Sequence, residues 1–162
     1  MRHRTLISTA FILLSVLARG LACAAEPGPL KIFILAGQSN MEGQAVVDLA
    51  GKDYNNGKGT LESLVNDPAS KGLFQHLKDE NGDWRIRDDV WVRYQPEGGP
   101  LRAGPLDFGF TPYGDRHHFG PELQFGHVMG DAFDNEVLLI KTAWGGKSLY
   151  VDFRPPSSGG ET

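Results

Sequence analysis

The apolar run at residues 31–36, which reads Lys-Ile-Phe-Ile-Leu-Ala and ends at Gly37, decides the fold. Continuous apolar runs of this length are typical of strands that are buried on both faces, as in parallel sheets. A second such run, Glu-Val-Leu-Leu-Ile-Lys at 136–141, also leads into a glycine turn. Between the two, apolar residues at helical spacing over 121–133 predict a helix with Pro121 in its first turn. Strand, helix and strand in this order predict a doubly wound α/β domain.

Residues 46–118 carry no comparably strong pattern and are predicted to be a loop-rich insertion. Within them we expect short helices at about 60–65 and 69–77, strands at 84–87 and 89–94, and a loop rich in Gly and Pro at 96–112. The prediction leaves two clear core strands, which are too few for a normal sheet. We therefore expect residues 26–162 to be the amino-terminal part of a longer domain.

The first 25 residues have the pattern of a secretory signal peptide. A basic start (Arg2, His3 and Arg4) precedes an apolar run at 6–17, and small residues follow at 22–25. The run is shorter than the roughly 20 residues that span a bilayer. An uncleaved anchor remains the alternative, and Cys23 leaves a lipoprotein open. We expect a secreted or periplasmic protein that has no membrane segment after cleavage.

Composition limits the classes of protein that fit this sequence. The chain has 162 residues, of which 40% are hydrophobic and 22% charged, as in a single globular domain. Its formal net charge of −4 argues against a nucleic-acid partner. The one cysteine, Cys23, lies in the predicted signal peptide. The mature protein would therefore have no disulfide and no cysteine-based zinc site.

The residues that follow the first strand are the candidates for chemistry. Gly37 is followed by Gln38, Ser39, Asn40 and Met41. A serine in a strand-to-helix turn lies at the carboxyl edge of the sheet, where α/β proteins place their sites. Its own N–H can point the same way and serve an oxyanion. The alternative is that Ser39 only caps a helix.

Three segments carry a resemblance to a known family. Residues 35–43, Leu-Ala-Gly-Gln-Ser-Asn-Met-Glu-Gly, resemble the first block of the SGNH hydrolases, and specifically of the sialate O-acetylesterase-like carbohydrate esterases. Residues 120–126, Gly-Pro-Glu-Leu-Gln-Phe-Gly, and 140–149, Ile-Lys-Thr-Ala-Trp-Gly-Gly-Lys-Ser-Leu, match the same branch in the same order. The resemblance implies a three-layer α/β/α sandwich with a mainly parallel sheet, incomplete in this chain. It also implies hydrolysis of acetyl esters on carbohydrates without a metal or an organic cofactor.

The resemblance assigns roles to individual residues. Ser39 would be the nucleophile, and its N–H would form the oxyanion hole together with that of Gly120. The acetylated carbohydrate would contact a pocket that includes Gln38, Asn40, Gly145 and Gly146.

The family also supplies an Asp-x-x-His pair and a further oxyanion donor, and neither block follows Gly146. We therefore expect an esterase truncated before its catalytic Asp and His, and an inactive fragment. Asp115 and His118 form an Asp-x-x-His on the other side of the oxyanion block, and we expect them to be a solvated loop pair rather than an improvised base. His117, His118 and His127 have no acidic partner at a convincing helical spacing, which disfavours a metal site.

Two other functions remain open from the sequence. In a non-catalytic carbohydrate-binding module, exposed aromatic rings would stack on sugars, although core packing also explains them. The aromatic residues concerned are Trp84, Trp91, Tyr94, Tyr113 and Trp144. The last alternative is an inactive, truncated gene product.

Overall fold

The computed structural model describes residues 28–160, and the predicted signal peptide lies outside this range. Its strands are β1 (Lys31–Gly37), β2 (Ala45–Val46), β3 (Arg87–Tyr94), β4 (Arg102–Leu106), β5 (His118–Phe119) and β6 (Val137–Ala143). Its α-helices are α1 (Ser39–Glu42), α2 (Leu61–Asn66), α3 (Lys71–Phe74) and α4 (Pro121–Ala132). Short 3₁₀ turns cover Lys52–Gly57, Gln75–Leu77 and Pro156–Ser158. In the described residues, no helix has the length and apolar character needed to cross a membrane.

The main sheet has four strands in the order β1-β6-β3-β4. Strands β1 and β3 both run parallel to β6, and β4 is antiparallel to β3 at the edge. Lys141 of β6 therefore lies between Leu35 of β1 and Tyr94 of β3. This arrangement confirms the predicted α/β class and its mainly parallel sheet.

The stretch predicted to be a loop-rich insertion supplies two of these strands. Strand β3 inserts beside β6, and β4 lies inside the predicted loop at 96–112, so that prediction is wrong for Arg102–Leu106. The predicted strand at 84–87 is wrong for residues 84–86, where Trp84 makes only an isolated bridge with Lys78, whereas Arg87 begins β3. Strand β4 was not predicted because it contains Gly104 and Pro105, which are rare in strands. An edge strand tolerates proline, because the missing N–H is not needed on its open side.

Helix α4 packs against one face of the sheet. Two glycines of the helix make this close approach possible: a Cβ at Gly126 would lie 2.5 Å from Leu106 Cδ2, and one at Gly130 would lie 2.7 Å from Val90 Cγ2. The core beneath includes Val92 and Leu139, which are both fully buried. A second cluster beside it joins α2 and α4 through Val47, Leu61, Leu77, Phe108 and Leu123.

The opposite face of the sheet is open in the described residues. Ile32 and Ile34 of β1 are 55% and 69% exposed, and Trp91 of β3 is 48% exposed. The prediction that β1 is buried on both faces is therefore wrong for residues 28–160. The apolar run does mark two apolar faces, but a local pattern carries no information on which faces other elements cover.

Candidate active site

Ser39 lies in a tight turn at the carboxyl end of β1. Gln38 is the N-cap of α1, and its carbonyl accepts from the N–H groups of Met41 and Glu42 at 2.8 Å. Ser39 is thus the first helical residue, and the alternative that it is only a helix cap is excluded. Gly37 allows the turn to close, because a Cβ there would lie 2.7 Å from the Met41 Cβ.

A cavity of about 370 Å³ opens beside this turn. Ser39, Asn40 and Gly120, which the resemblance places in the site, all lie in its wall. The remaining lining residues are Gly43, Gln44, Ala45, Phe119 and Pro121. The fold therefore brings the candidate nucleophile and the candidate oxyanion residue, which are far apart in the sequence, to the same cavity.

The two segments meet through a backbone contact between glycines. A Cβ on Gly43 would lie 2.3 Å from the Gly120 Cα and 2.9 Å from the Phe119 carbonyl oxygen. Gly43 also has φ +87°, a conformation that L side chains rarely adopt. The short antiparallel pairing of Ala45 with Phe119 continues this contact. Glycine is thus required at position 43 for both conformation and space.

Behind the cavity lies a buried charged cluster. The Lys141 Nζ donates to Glu122 Oε2 at 2.6 Å and to the carbonyls of Glu42 and Phe110 at 2.7 Å. The Lys141 and Glu122 side chains are fully buried. Burial raises the pKa of Glu122 and lowers that of Lys141, because each charged form loses its hydration, and their mutual attraction opposes both shifts. The Glu42 carboxylate accepts from the Tyr94 hydroxyl at 2.9 Å.

The sequence patterns above did not predict this cluster. Lys141 was the residue that could have indicated it, because a lysine inside an apolar strand is rare unless it has a partner. Glu122, in the second of the matching segments, is its partner.

The Gly120 N–H has a partner in this structure. It donates to Glu122 Oε1 at 3.0 Å. An oxyanion that uses this N–H must therefore share it with the carboxylate or displace the carboxylate.

Comparison with known families shows which family this chain belongs to. A family model described as carbohydrate esterase, sialic acid-specific acetylesterase, matches residues 29–159. The chain belongs to this family. The match covers all three segments quoted from the sequence, and it confirms the resemblance to SGNH-type carbohydrate esterases.

One solved structure is weakly similar to this family member. It is the X-ray structure, at 1.6 Å resolution, of a protein from Arabidopsis thaliana that is 18% identical in sequence, with a TM-score of 0.42. The alignment covers 77% of this chain and 44% of that protein, so the chain spans less than half of its length. No match was found among curated proteins.

The other residues that the family resemblance assigns to the pocket are distributed around the Ser39 turn. Gln38 lines a neighbouring cavity of about 830 Å³, together with Lys147. Gly145 packs on the charged cluster, because a Cβ there would lie 2.9 Å from Glu42 Oε2. Gly146 has φ +72°, and no atom lies within 4 Å of the position that its Cβ would occupy. Only Asn40 shares the wall of the Ser39 cavity.

Two histidines of this family member are paired with aspartates. His118 Nδ1 lies 2.8 Å from Asp115 Oδ1, and His117 Nδ1 lies 2.6 Å from Asp48 Oδ1. His118 is buried in β5 and stacks on Tyr113, so the expected solvated loop pair is wrong for its imidazole. It is not among the residues that line the Ser39 cavity. Within residues 28–160, no group of three or more His, Cys, Asp or Glu side chains is arranged to hold a metal ion.

The side chain of His127 in α4 is buried without a hydrogen bond. It is 1% exposed, and neither ring nitrogen has a partner among the described residues. Burial lowers its pKa to about 4 from 6.5, and the neighbouring His76 and Arg87 contribute to the same direction.

This burial predicts a loss of stability in acid. Between pH 6.5 and pH 4 the unfolded chain binds a proton at His127 that the folded chain does not bind, so the free energy of unfolding falls as the pH falls. We expect this residue to account for about 3 kcal/mol of the decrease. Urea unfolding of His127→Leu at about pH 7 and about pH 4.5 should show a correspondingly smaller decrease than the wild type. Val128→Leu is the control, because this exposed residue lies on the same helix and carries no titrating group. An unchanged pH dependence in His127→Leu would contradict the prediction.

Proposed function

We propose that the protein is a secreted or periplasmic serine esterase that removes O-acetyl groups from carbohydrates. The observation that carries the proposal is Ser39, which lies at the carboxyl end of β1 in the wall of a cavity that also contains Gly120. Family membership supports the class of reaction. The apolar amino-terminal segment supports export.

The proposed reaction is acyl transfer through an acetyl-enzyme. The Ser39 Oγ attacks the acetyl carbonyl carbon, and a histidine takes its proton. The tetrahedral intermediate then expels the sugar oxygen, which takes up the proton. Water hydrolyses the acetyl-Ser39 ester in the second half of the reaction and releases acetate. The N–H of Ser39 is the proposed oxyanion donor. The N–H of Gly120 is the second donor once its hydrogen bond to the Glu122 carboxylate is broken. The chemistry requires no metal and no organic cofactor.

The histidine of this mechanism is proposed to come from outside residues 28–160. No histidine of the described residues lines the Ser39 cavity. The exposed Asp115 and the buried His118 share the hydrogen bond that orients a base, but Tyr113 stacks on the His118 ring. We therefore propose that the family's Asp-x-x-His completes the site and that residues 26–162 alone are nearly inactive.

Acetate release distinguishes this function from its alternatives. We expect the whole protein to release acetate from acetylated carbohydrate, at a rate that a metal chelator does not change. A protein that binds the same glycans in calorimetry but releases no acetate would instead be a carbohydrate-binding module. In that case, replacing the exposed Trp91 or Tyr113 should weaken glycan binding, whereas Tyr94 is buried in the core and cannot contact a sugar. A protein that neither binds nor hydrolyses them would be an inactive gene product.

A further inference from the structure

We infer that Lys141 and Glu122 form a positioning pair, which holds the Ser39 turn and the Gly120 segment at one fixed distance. The inference about geometry rests on the described contacts. Its consequence for catalysis rests on the proposed esterase function. Neither residue is proposed to touch the substrate, because neither lines the Ser39 cavity.

The first link is the ammonium group of Lys141. Its three hydrogen bonds reach three separate segments: the Glu42 carbonyl at the end of α1, the Phe110 carbonyl in the loop after β4, and Glu122 at the start of α4. An ammonium group has three donors, so all of them are used. Because α1 is a single turn that begins at Ser39, the bond to Glu42 fixes the position of that turn relative to β6.

The second link is the Glu122 carboxylate. Its Oε2 accepts from Lys141, and its Oε1 accepts from the Gly120 N–H at 3.0 Å. One carboxylate therefore connects the ammonium group to the backbone that faces Gly43. A Cβ on Gly120 would lie 2.5 Å from Glu122 Oε2 and 2.8 Å from Lys141 Nζ, so the pair is in contact with this backbone.

Stability alone gives a poor account of such a pair. Removing two charges from water costs several kcal/mol for each ion, and apolar residues of similar volume are often as stabilising. An apolar pair would leave the carbonyls of Glu42 and Phe110 and the N–H of Gly120 without these partners. What the charged pair adds is a directional connection between the two segments that form the cavity.

The expected consequence concerns the geometry of catalysis. A displacement of about 1 Å between a nucleophile and its partner groups can lower the rate by about 10²-fold. If Lys141 and Glu122 set this geometry, their loss should lower kcat and leave KM nearly unchanged, because the substrate contacts remain.

The test uses the double variant Lys141→Met with Glu122→Gln, which removes both charges and keeps an acceptor for the Gly120 N–H. That acceptor is no longer held in place by Lys141, so in the ¹⁵N-labelled chain we expect amide exchange at Gly120 to become at least about 10-fold faster. We also expect the nuclear Overhauser effect between the α-protons of Gly43 and Gly120 to be lost. The matched control is Lys78→Met with Glu62→Gln, the same change at a partly exposed ion pair, and it should alter neither signal.

A second variant covers the case in which the double variant does not fold. Glu122→Gln alone turns one of the two acceptor oxygens into an NH2 group, which would face either the Lys141 ammonium or the Gly120 N–H donor, so both contacts cannot persist in the observed geometry. It should therefore also accelerate exchange at Gly120. Unchanged exchange and an intact Gly43–Gly120 contact in the folded variants would overturn the positioning role.

Activity is measured separately on the whole protein. An approximately 10²-fold lower kcat with an unchanged KM in the double variant supports the positioning role. Wild-type kcat in a folded double variant overturns its catalytic consequence. If the wild-type protein releases no acetate, the proposed function fails, and the exchange measurement still decides whether Lys141 and Glu122 position the two segments.

Discussion

Replacing Ser39 with alanine should abolish acetyl-ester hydrolysis by the whole protein. We expect kcat to fall by about 10⁴–10⁶-fold, since losing the nucleophile leaves only substrate binding and oxyanion stabilisation. The fold should remain, because the Ser39 side chain caps no helix and lies at the wall of an open cavity. A loss of activity without a loss of stability would identify the hydroxyl as the reacting group.

The initial rate of p-nitrophenyl acetate hydrolysis measures this effect, and a thermal melt verifies the fold. Ser157→Ala is the matched control, because Ser157 is exposed in the last 3₁₀ turn. Its rate should equal that of the wild type. Undiminished hydrolysis by Ser39→Ala would contradict the assignment of the nucleophile and with it the proposed mechanism.

Replacing Gly43 with alanine should both destabilise the protein and inactivate it. The new methyl group would lie 2.3 Å from the Gly120 Cα, a contact with backbone that cannot rotate away. The residue would also be forced to keep φ +87° or to rebuild the turn. We expect a loss of about 2–5 kcal/mol in the free energy of unfolding, from overpacking and backbone strain together.

Urea unfolding compares this variant with Gly82→Ala. Gly82 has φ +84°, nearly the same as Gly43, but no atom lies within 4 Å of the position of its Cβ. The control therefore has a positive φ without the close contact, and we expect it to cost about 1–2 kcal/mol. Equal losses in the two variants would show that the contact between Gly43 and Gly120 is not tight. The Gly43 variant should also lose acetyl-ester hydrolysis, and the Gly82 variant should keep it.

Local patterns predicted the elements that carry the site. The apolar runs of β1 and β6 and the helical spacing of α4 each lie within a single segment, so the residues that determine them are close in sequence. The observed bounds, Lys31–Gly37, Val137–Ala143 and Pro121–Ala132, agree closely with the predicted ones. Ser39 emerged as a candidate for the same reason, because its turn follows directly from the end of β1.

The missed elements depend on contacts between distant residues. Strand β4 contains Gly104 and Pro105, and only its edge position beside β3 makes these residues acceptable in a strand. The order β1-β6-β3-β4 places β3 directly beside β6, although α4 and other segments separate them along the chain. Strand propensity gives no information on such pairing, because it describes one segment at a time.

The sequence by itself determined the family, the α/β class and the position of Ser39 in a turn after an apolar strand, because each depends on neighbouring residues. Only the tertiary structure decided that Gly43 meets Gly120 and that Lys141 connects Glu42 to Glu122. The physical reason is that a buried charge must find its partners in space. Strand β6 lies between β1 and β3, and its register in the sheet places Lys141 within hydrogen-bond distance of those partners.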